Sequence, residues 1–240
     1  MKDASRIAAN LQAVREDIDR FASGGKVRLV CVTKYAELHH VRLLLDAGAD
    51  ELGENLLPTA AERFKQLTSG GYCFIRHLIG PQQSRKVGMM PGNFDMFQAL
   101  DRMKVALKLQ QELLDAGSSM EVLLQVNISA EEQKSGFAID ETASAISRIR
   151  EECPSLLIRG LMSIPAGPQS FATEAEFERE TARSFGQMRA LFDRISASLP
   201  AAMPFDVLSQ GMSHDYRLAL VEGSNMIRIG SALFAGLEGK

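Results

Sequence analysis

The sequence has little that a secreted, membrane-bound or nucleic-acid-binding protein needs. Its three cysteines are far apart and form no C-x-x-C pair, so neither disulfides nor a thiolate metal site is expected. Cys31 and Cys73 lie in apolar, strand-like patterns, which predicts buried free thiols. No apolar stretch approaches the roughly 18 residues of a membrane-spanning helix, and the charged N-terminus lacks the apolar centre of a signal peptide. The formal net charge of -3 gives no reason to bind nucleic acid. From the cysteines, the absence of long apolar stretches and the charge together, we expect a cytoplasmic protein with no nucleic-acid or membrane partner.

The motifs of several enzyme classes are missing as well. No G-x-G-x-x-G or Walker-type loop occurs, so nucleotide binding has no support. Gly211-Met-Ser213 is not a nucleophile elbow, because Asp215 occupies the place of the second glycine. His39 and His40 are consecutive on a predicted helix and are not expected to face each other. With four scattered histidines and no cysteine cluster, no metal site is predicted.

Strand-like and helical patterns alternate along the chain. After a first helix over 3–21, the strand-like segments lie at 27–33, 49–52, 73–79, 93–98, 120–127, 157–164, 204–208 and 225–230. The clearest helical patterns lie at 37–47, 55–68, 101–116, 139–152 and 174–198. Eight such units in 240 residues favour a closed, parallel (β/α)8 barrel over an open sheet. No linker divides the chain, so we predict one α/β domain over 1–240, a TIM barrel with an extra N-terminal helix.

The predicted strand ends are unusually polar and rich in glycine, and in such barrels the functional residues gather there. They comprise Lys34, 53–55, 77–80, 98–101, 127–129, 162–165, 209–213 and 230–231. Lys34 closes the first strand and places an amine at the mouth of the barrel. It can form a Schiff base with an aldehyde if burial or nearby cations lower its pKa; otherwise it simply reaches into water.

Two segments near the C-terminus suit an anion. Leu208 to Ser213 follows the seventh strand, where Ser213 can cap the next helix, and Asn225 to Ser231 runs into a glycine and a short helix. Barrel enzymes often bind phosphate after strands seven and eight, although either segment alone can be a capped helix start. Arg228 shares a strand face with Gly230 and needs an acceptor, either a ligand atom or a core carboxylate. His77 can contact a ligand or be a hydrogen-bonded core histidine.

Several spaced motifs together are more specific than any one of them. They are Val32-Thr-Lys34, Gly53-Glu-Asn55, His77 with Ile79-Gly80, Val126-Asn127 with Ser129, Glu131, Lys134 and Gly136, Gly160-Leu-Met-Ser-Ile-Pro165, Leu208-Ser209, Gly211-Met-Ser213, Asp215 and Met226-Ile-Arg-Ile-Gly-Ser231. In this order, over nearly the whole length, the chain resembles the pyridoxal 5'-phosphate (PLP) homeostasis protein family. Its members are single-domain relatives of the barrel domain of bacterial alanine racemase.

The resemblance implies that Lys34 holds PLP as an internal aldimine and that Arg228 faces the pyridine nitrogen. Asn55 would line the ring pocket, with His77 as a neighbour. The residues implied to cradle the phosphate are Ser209, Met212, Ser213, Gly230 and Ser231. The tyrosine that assists alanine racemase comes from an additional β-domain, for which this chain is too short.

We therefore expect a monomeric PLP carrier for cofactor homeostasis, with little or no turnover, which delivers PLP to dependent apo-enzymes. Two alternatives stay open. One is a genuine PLP enzyme such as a low-activity amino-acid racemase. The other is a Schiff-base aldolase-type barrel that acts on a sugar phosphate.

Overall fold

The strands form a closed parallel barrel in the computed structural model, which describes residues 2–129 and 135–237. Each strand pairs with the next one in the sequence, and the eighth pairs back onto the first. The strands are β1 (Arg28–Val32), β2 (Glu51–Glu54), β3 (Ile75–Leu78), β4 (Met96–Leu100), β5 (Met120–Val126), β6 (Leu156–Ser163), β7 (Val207–Ser209) and β8 (Met226–Ile229). The predicted (β/α)8 barrel is thereby confirmed.

The α-helices lie mostly where helical periodicity predicted them. They are α1 (Lys2–Phe21), α2 (Leu38–Asp46), α3 (Thr59–Ser69), α4 (Met103–Asp115), α5 (Thr142–Glu152), α6 (Glu174–Ser198) and α7 (Tyr216–Val221). Three short 3-10 helices, Ser84–Met89, Pro168–Ser170 and Ser231–Phe234, complete the connections. Within the described residues, no helix combines the length and apolar character that crossing a membrane takes.

The extra helix α1 is tied to the segment that follows β8. Its apolar stripe of Ile7, Leu11 and Val14 is buried in the core, as its spacing predicts. From the same helix, the side-chain amide of Asn10 donates to the carbonyls of Leu233 (3.1 Å) and Ala235 (3.0 Å). The helix thereby fixes the backbone just beyond the last strand, at the end of the barrel where function was predicted.

Several element bounds differ from the sequence-based expectation, and two of these differences change where a functional group lies. Strand β2 continues to Glu54, two residues past the predicted end at 52, so the carboxylate of Glu54 belongs to the sheet. Strand β3 begins only at Ile75, which leaves Cys73 exposed in the preceding loop rather than buried. Cys31 is buried as predicted, and burial raises the pKa of its thiol to about 12.

Candidate functional site

A cavity of about 620 Å³ opens at the carboxyl ends of the strands. Its volume lies in the range typical of small-molecule sites, roughly 300 to 1,000 Å³. Seven of the nine predicted site residues line it: Lys34, Asn55, Met212, Ser213, Arg228, Gly230 and Ser231. The other two, His77 and Ser209, are fully buried in the barrel interior and do not line it. The predicted amine, anion segments and arginine therefore meet in one place.

Lys34 lies two residues after the end of β1 and its side chain is exposed at the cavity. Its Nζ lies 4.9 Å from the ring centre of Tyr35, a cation–π distance. The turn that carries both residues is held by Arg63 of α3, which donates to the carbonyls of Thr33 (3.1 Å) and Ala36 (2.7 Å). The amine thus projects from a turn whose backbone is fixed on its inner side.

A buried carboxylate stands beside this turn. Glu54, at the end of β2, accepts a hydrogen bond from the Thr33 hydroxyl (2.7 Å) and pairs with Arg63 (3.3 Å). Burial raises the pKa of Glu54, although the Thr33 hydrogen bond and the charges of Arg63 and Lys34 oppose that rise. Glu54 therefore adds negative charge near the amine and links two neighbouring strand ends.

Asn55 is held by the segment that follows β3. The side chain of Gln82 is buried and donates to the carbonyls of Asn55 (2.9 Å) and Gly80 (2.8 Å). A Cβ at Gly80 would lie 1.7 Å from Oδ1 of Asn55, so only glycine lets the Asn55 side chain occupy this position. Asn55, which directly follows β2, therefore requires a glycine at position 80 for steric reasons.

Hydrogen-bond donors converge where the segments after β7 and β8 meet. Oγ of Ser213 accepts from the backbone N–H groups of Gly230 (3.3 Å) and Ala232 (3.4 Å). Ser213 does not cap the following helix as predicted, since α7 begins only at Tyr216. The Ser213 hydroxyl and the two N–H groups that donate to it lie together in one cluster, which we call the anion cup. Hydroxyl and backbone N–H groups clustered in this way are the kind of donors that phosphate oxygens accept from.

The loop before α7 is braced by Asp215. Its buried carboxylate accepts the N–H of Met212 (2.6 Å), and its own N–H donates to the Met212 carbonyl (3.0 Å). Burial raises the pKa of Asp215, while the Met212 hydrogen bond and the charge of Arg228 oppose that rise. The loop also depends on Gly211, whose φ of +87° is in the left-handed region and whose Cβ would lie 2.7 Å from that of Ala219.

Arg228 is buried, with 3% of its surface exposed, and it lines the cavity floor. Its guanidinium donates to the hydroxyl of Ser209 (2.6 Å) and to the carbonyl of Ser163 (2.9 Å). Burial lowers the pKa of Arg228 to about 10, against the attraction of Asp215. Among the described residues it forms no direct carboxylate pair, so donors of this group remain for a ligand.

His77 uses both ring nitrogens inside the core. Nε2 lies 2.9 Å from the carboxylate of Glu51, and Nδ1 lies 3.0 Å from the side-chain amide of Gln98. These contacts match the alternative interpretation as a hydrogen-bonded core histidine. Ser209 likewise turns inward and donates to Oε1 of Gln98 at 2.8 Å.

Glu51 is expected to stabilise the protein above acidic pH. Burial works to raise the pKa of Glu51, but hydrogen bonds from His77 and Arg28 hold it below its ordinary value of 4.5. Burial also lowers the pKa of His77 below 6.5, despite the Glu51 bond. In both cases the unfolded chain binds the proton more tightly, so stability is lost as pH falls, first below 6.5 and further below 4.5.

Replacing Glu51 with glutamine is expected to lower the free energy of unfolding by about 2 kcal/mol at pH 7, because hydrogen bonds to a buried charge are lost. The free energy of unfolding of this variant should also fall less steeply as the pH is lowered from 8 to 4. Urea denaturation between pH 4 and pH 8 measures both effects. Glu121→Gln is the matched control, since Glu121 pairs with Arg159 at a more exposed position and should change stability by less than about 1 kcal/mol. Equal effects of the two substitutions would contradict the prediction.

One cluster outside the cavity has the chemistry of metal ligands. The rings of His39 and His40 lie 3.8 Å apart, so the expectation that they do not face each other is wrong. Together with Asp3 they offer three ligand atoms within 4.8 Å of one another. Both histidines are in the first turn of α2, and Nε2 of His40 lies 3.4 Å from the carboxylate of Asp3 on α1. These residues do not line the cavity.

The sequence analysis included Ile79 and Ile164 in its strand-end segments 77–80 and 162–165, but it did not predict apolar walls for the cavity. Ile79, Ile164 and Phe234 line it, as do Tyr35 and His214. Apolar residues after a strand carry no signal that separates a ligand wall from a core position. For Ile79 and Ile164 the clue that the sequence offers is their position, one residue after β3 and β6. Glu131 and Lys134, which contribute to the resemblance, lie outside the described residues.

The chain matches a known family over nearly its whole length. A family profile described as "Alanine racemase, N-terminal domain" matches residues 3–238. A curated relative from Pasteurella multocida, named "Pyridoxal phosphate homeostasis protein", is 33% identical over 237 residues, covering 97% of this chain and 98% of the relative. A relative of the same name from Haemophilus influenzae is 36% identical over 208 residues, covering 87% of this chain and 84% of the relative.

Solved structures agree with this relationship. PipY of Synechococcus elongatus, solved with PLP bound, superposes with a TM-score of 0.80 at 26% identity, covering 95% of this chain and all of that one. Alanine racemase from Corynebacterium glutamicum shares the fold, with a TM-score of 0.72 at 17% identity over 98% of this chain and 64% of the racemase. This chain therefore belongs to the family of the alanine racemase N-terminal domain, and within it to the pyridoxal phosphate homeostasis proteins.

Proposed function

We propose that this protein binds PLP, attached as a Schiff base to Lys34, and serves PLP homeostasis with little or no turnover. The observation that carries the proposal is the meeting of three groups in one cavity. These are the amine of Lys34, the anion cup around Ser213 and the guanidinium of Arg228. The names of the curated relatives and the PLP-bound PipY structure support the same ligand.

The donor set fits this cofactor. PLP has an aldehyde that condenses with a primary amine, a phosphate, and a pyridine nitrogen that can accept a hydrogen bond. Lys34 supplies the amine, and Arg228 supplies donors at the cavity floor. Asn55 and Ile79 both line the cavity, and we assign them to the ring. The groups assigned to the phosphate are the Ser213 hydroxyl, Met212, Ser231 and the N–H of Gly230.

Low turnover follows from what Arg228 does. A guanidinium has only donors, so facing the pyridine nitrogen it would donate to that nitrogen and leave it unprotonated. An unprotonated ring draws electrons from a bound amino acid less well than one paired with a carboxylic acid. The cavity tyrosine, Tyr35, packs against the Lys34 amine itself, whereas a second proton carrier is needed on the opposite side of the ring. Binding is thus supported better than racemisation.

The protein's partners in this proposal are PLP-dependent apo-enzymes in the cytoplasm, which receive the cofactor from a monomeric carrier. The support is the homeostasis role in the relatives' names and the exposed position of Lys34. An exposed amine leaves the cofactor accessible to a receiving enzyme.

Borohydride reduction tests the binding proposal. The purified protein is incubated with PLP, reduced, digested and analysed by mass spectrometry, and the pyridoxyl group is expected on Lys34. Turnover is followed with L- and D-alanine by chiral chromatography, and no conversion above the no-protein control is expected. An adduct confined to other lysines, or sustained racemisation, would overturn the corresponding part of the proposal.

A further inference from the structure

We propose that Gln98 and His77 are positioning residues that hold the guanidinium of Arg228 through Ser209, which rests on the proposed binding of PLP. The side chains form one line of hydrogen bonds through the barrel. Arg228 lies 2.6 Å from Ser209, which lies 2.8 Å from Gln98. Gln98 lies 3.0 Å from His77, and His77 lies 2.9 Å from Glu51.

The line crosses the barrel rather than following its wall. Gln98 is on β4 and Ser209 is on β7, and these strands are not neighbours in the barrel. Gln98, His77 and Ser209 are each 0% exposed, so water does not compete for their hydrogen bonds. Buried polar groups need partners, and each of these side chains finds one on either side.

The chemistry of the members fixes the direction of every bond. Arg228 can only donate, so Ser209 accepts from it and must give its own proton to Oε1 of Gln98. The amide nitrogen of Gln98 then donates to Nδ1 of His77, which leaves the ring proton on Nε2. Nε2–H donates to the carboxylate of Glu51. The line therefore requires a neutral His77 with its proton on Nε2.

The charged groups around His77 agree with that state. Glu51 faces Nε2, and Arg28 donates to the same carboxylate at 2.9 Å, so the charge of Glu51 is already shared. Asp95 and Arg28 also act on His77 at longer range, in opposite directions. Burial lowers the pKa of His77, which favours the neutral ring.

The hydrogen bond from Ser209 to Gln98 makes the Ser209 hydroxyl oxygen a fixed acceptor for Arg228. The Ser209 hydroxyl can rotate, and only its bond to Gln98 commits its lone pairs to Arg228. Without Gln98, Ser209 is free to turn its proton elsewhere, and the guanidinium keeps only one of its two fixed acceptors, the carbonyl of Ser163. The inner residues thereby act on the ligand end of Arg228 without touching the ligand.

Two measurements test the inference. The first uses the wild-type apoprotein, and the second compares the variant Gln98→Met with a matched control, Gln110→Met. Gln110 is also a buried glutamine with two side-chain hydrogen bonds, to Ser155, but it lies on α4 outside the barrel interior. In the wild-type apoprotein, imidazole 15N NMR should show His77 neutral with Nε2–H from pH 6 to pH 8. In the holoprotein, Gln98→Met should raise the PLP dissociation constant about tenfold and shift the visible band, and Gln110→Met should do neither.

A His77 that is cationic or protonated on Nδ1 in the apoprotein would overturn the inference, as would equal effects of the two methionine variants on affinity and band position. If Gln98→Met does not fold, Gln98→Glu replaces it. That variant keeps the acceptor for Ser209 and loses the donor to His77, so His77 should take up a second proton. An unchanged His77 signal there would overturn the inference. Failure of the wild type to bind PLP would instead refute the proposed function, while the apoprotein NMR still tests the bond directions.

Discussion

Replacing Lys34 with alanine is expected to abolish the visible absorption band and the borohydride-stable adduct completely. No other amine is assigned to the aldehyde end of the cavity, so PLP in the variant is held only through its phosphate and ring. The fold should remain intact, because Lys34 is exposed and its contact with Tyr35 contributes about 1 kcal/mol at most. Absorbance spectra, intact mass after reduction and thermal unfolding measure these three outcomes.

Lys65→Ala is the matched control, since Lys65 is an exposed lysine on α3 that does not line the cavity. The control should retain both the band and the adduct. A stoichiometric adduct that survives in Lys34→Ala and disappears in another lysine variant would show that a different amine holds the cofactor.

The residues that sequence reasoning placed correctly are those whose position follows from strand direction. Lys34 closes an apolar run, and the carboxyl ends of parallel strands share one face of the barrel, so its place at the cavity could be predicted. Arg228 is on β8 and Gly230, two residues later, directly follows the strand, so alternation predicts them on one face, and both line the cavity. The barrel itself follows from the regular alternation of strands and helices.

The residues that sequence reasoning left open depend on partners distant in the chain. Ser209 ends β7 and looks like a cavity residue, but its hydroxyl turns inward because Gln98, 111 residues away, offers an acceptor there. The inward position of His77 likewise depends on Glu51 and Gln98. No local pattern contains such information, since each of these contacts joins different strands.

Replacing Ser213 with aspartate is expected to weaken PLP binding by roughly 1,000-fold while leaving the binding of pyridoxal, which has no phosphate, nearly unchanged. Any side chain at this position sits in the anion cup, because Oγ of Ser213 already lies 3.3 Å from the N–H nitrogen of Gly230. The new carboxylate would bind the N–H groups of Gly230 and Ala232, which now donate to the Ser213 hydroxyl, more strongly than that hydroxyl does. It would also repel the phosphate by about 4 kcal/mol per pair of charges at 4 Å near a protein surface, and each 1.4 kcal/mol is about tenfold in affinity.

Ser213→Ala separates the two contributions, since it removes the hydroxyl without adding charge. A hydrogen bond to a charged group contributes about 1.5 to 3 kcal/mol, so the loss for PLP should be about 10- to 100-fold. Equilibrium dialysis of the wild type and both variants against PLP and pyridoxal, with free ligand measured by fluorescence, gives the change in dissociation constant for each variant with each ligand. If Ser213→Asp weakens pyridoxal as much as PLP, the residue acts on the ring or on the fold. If it weakens neither, the phosphate binds elsewhere and the cup formed by Ser213, Gly230 and Ala232 is not its site.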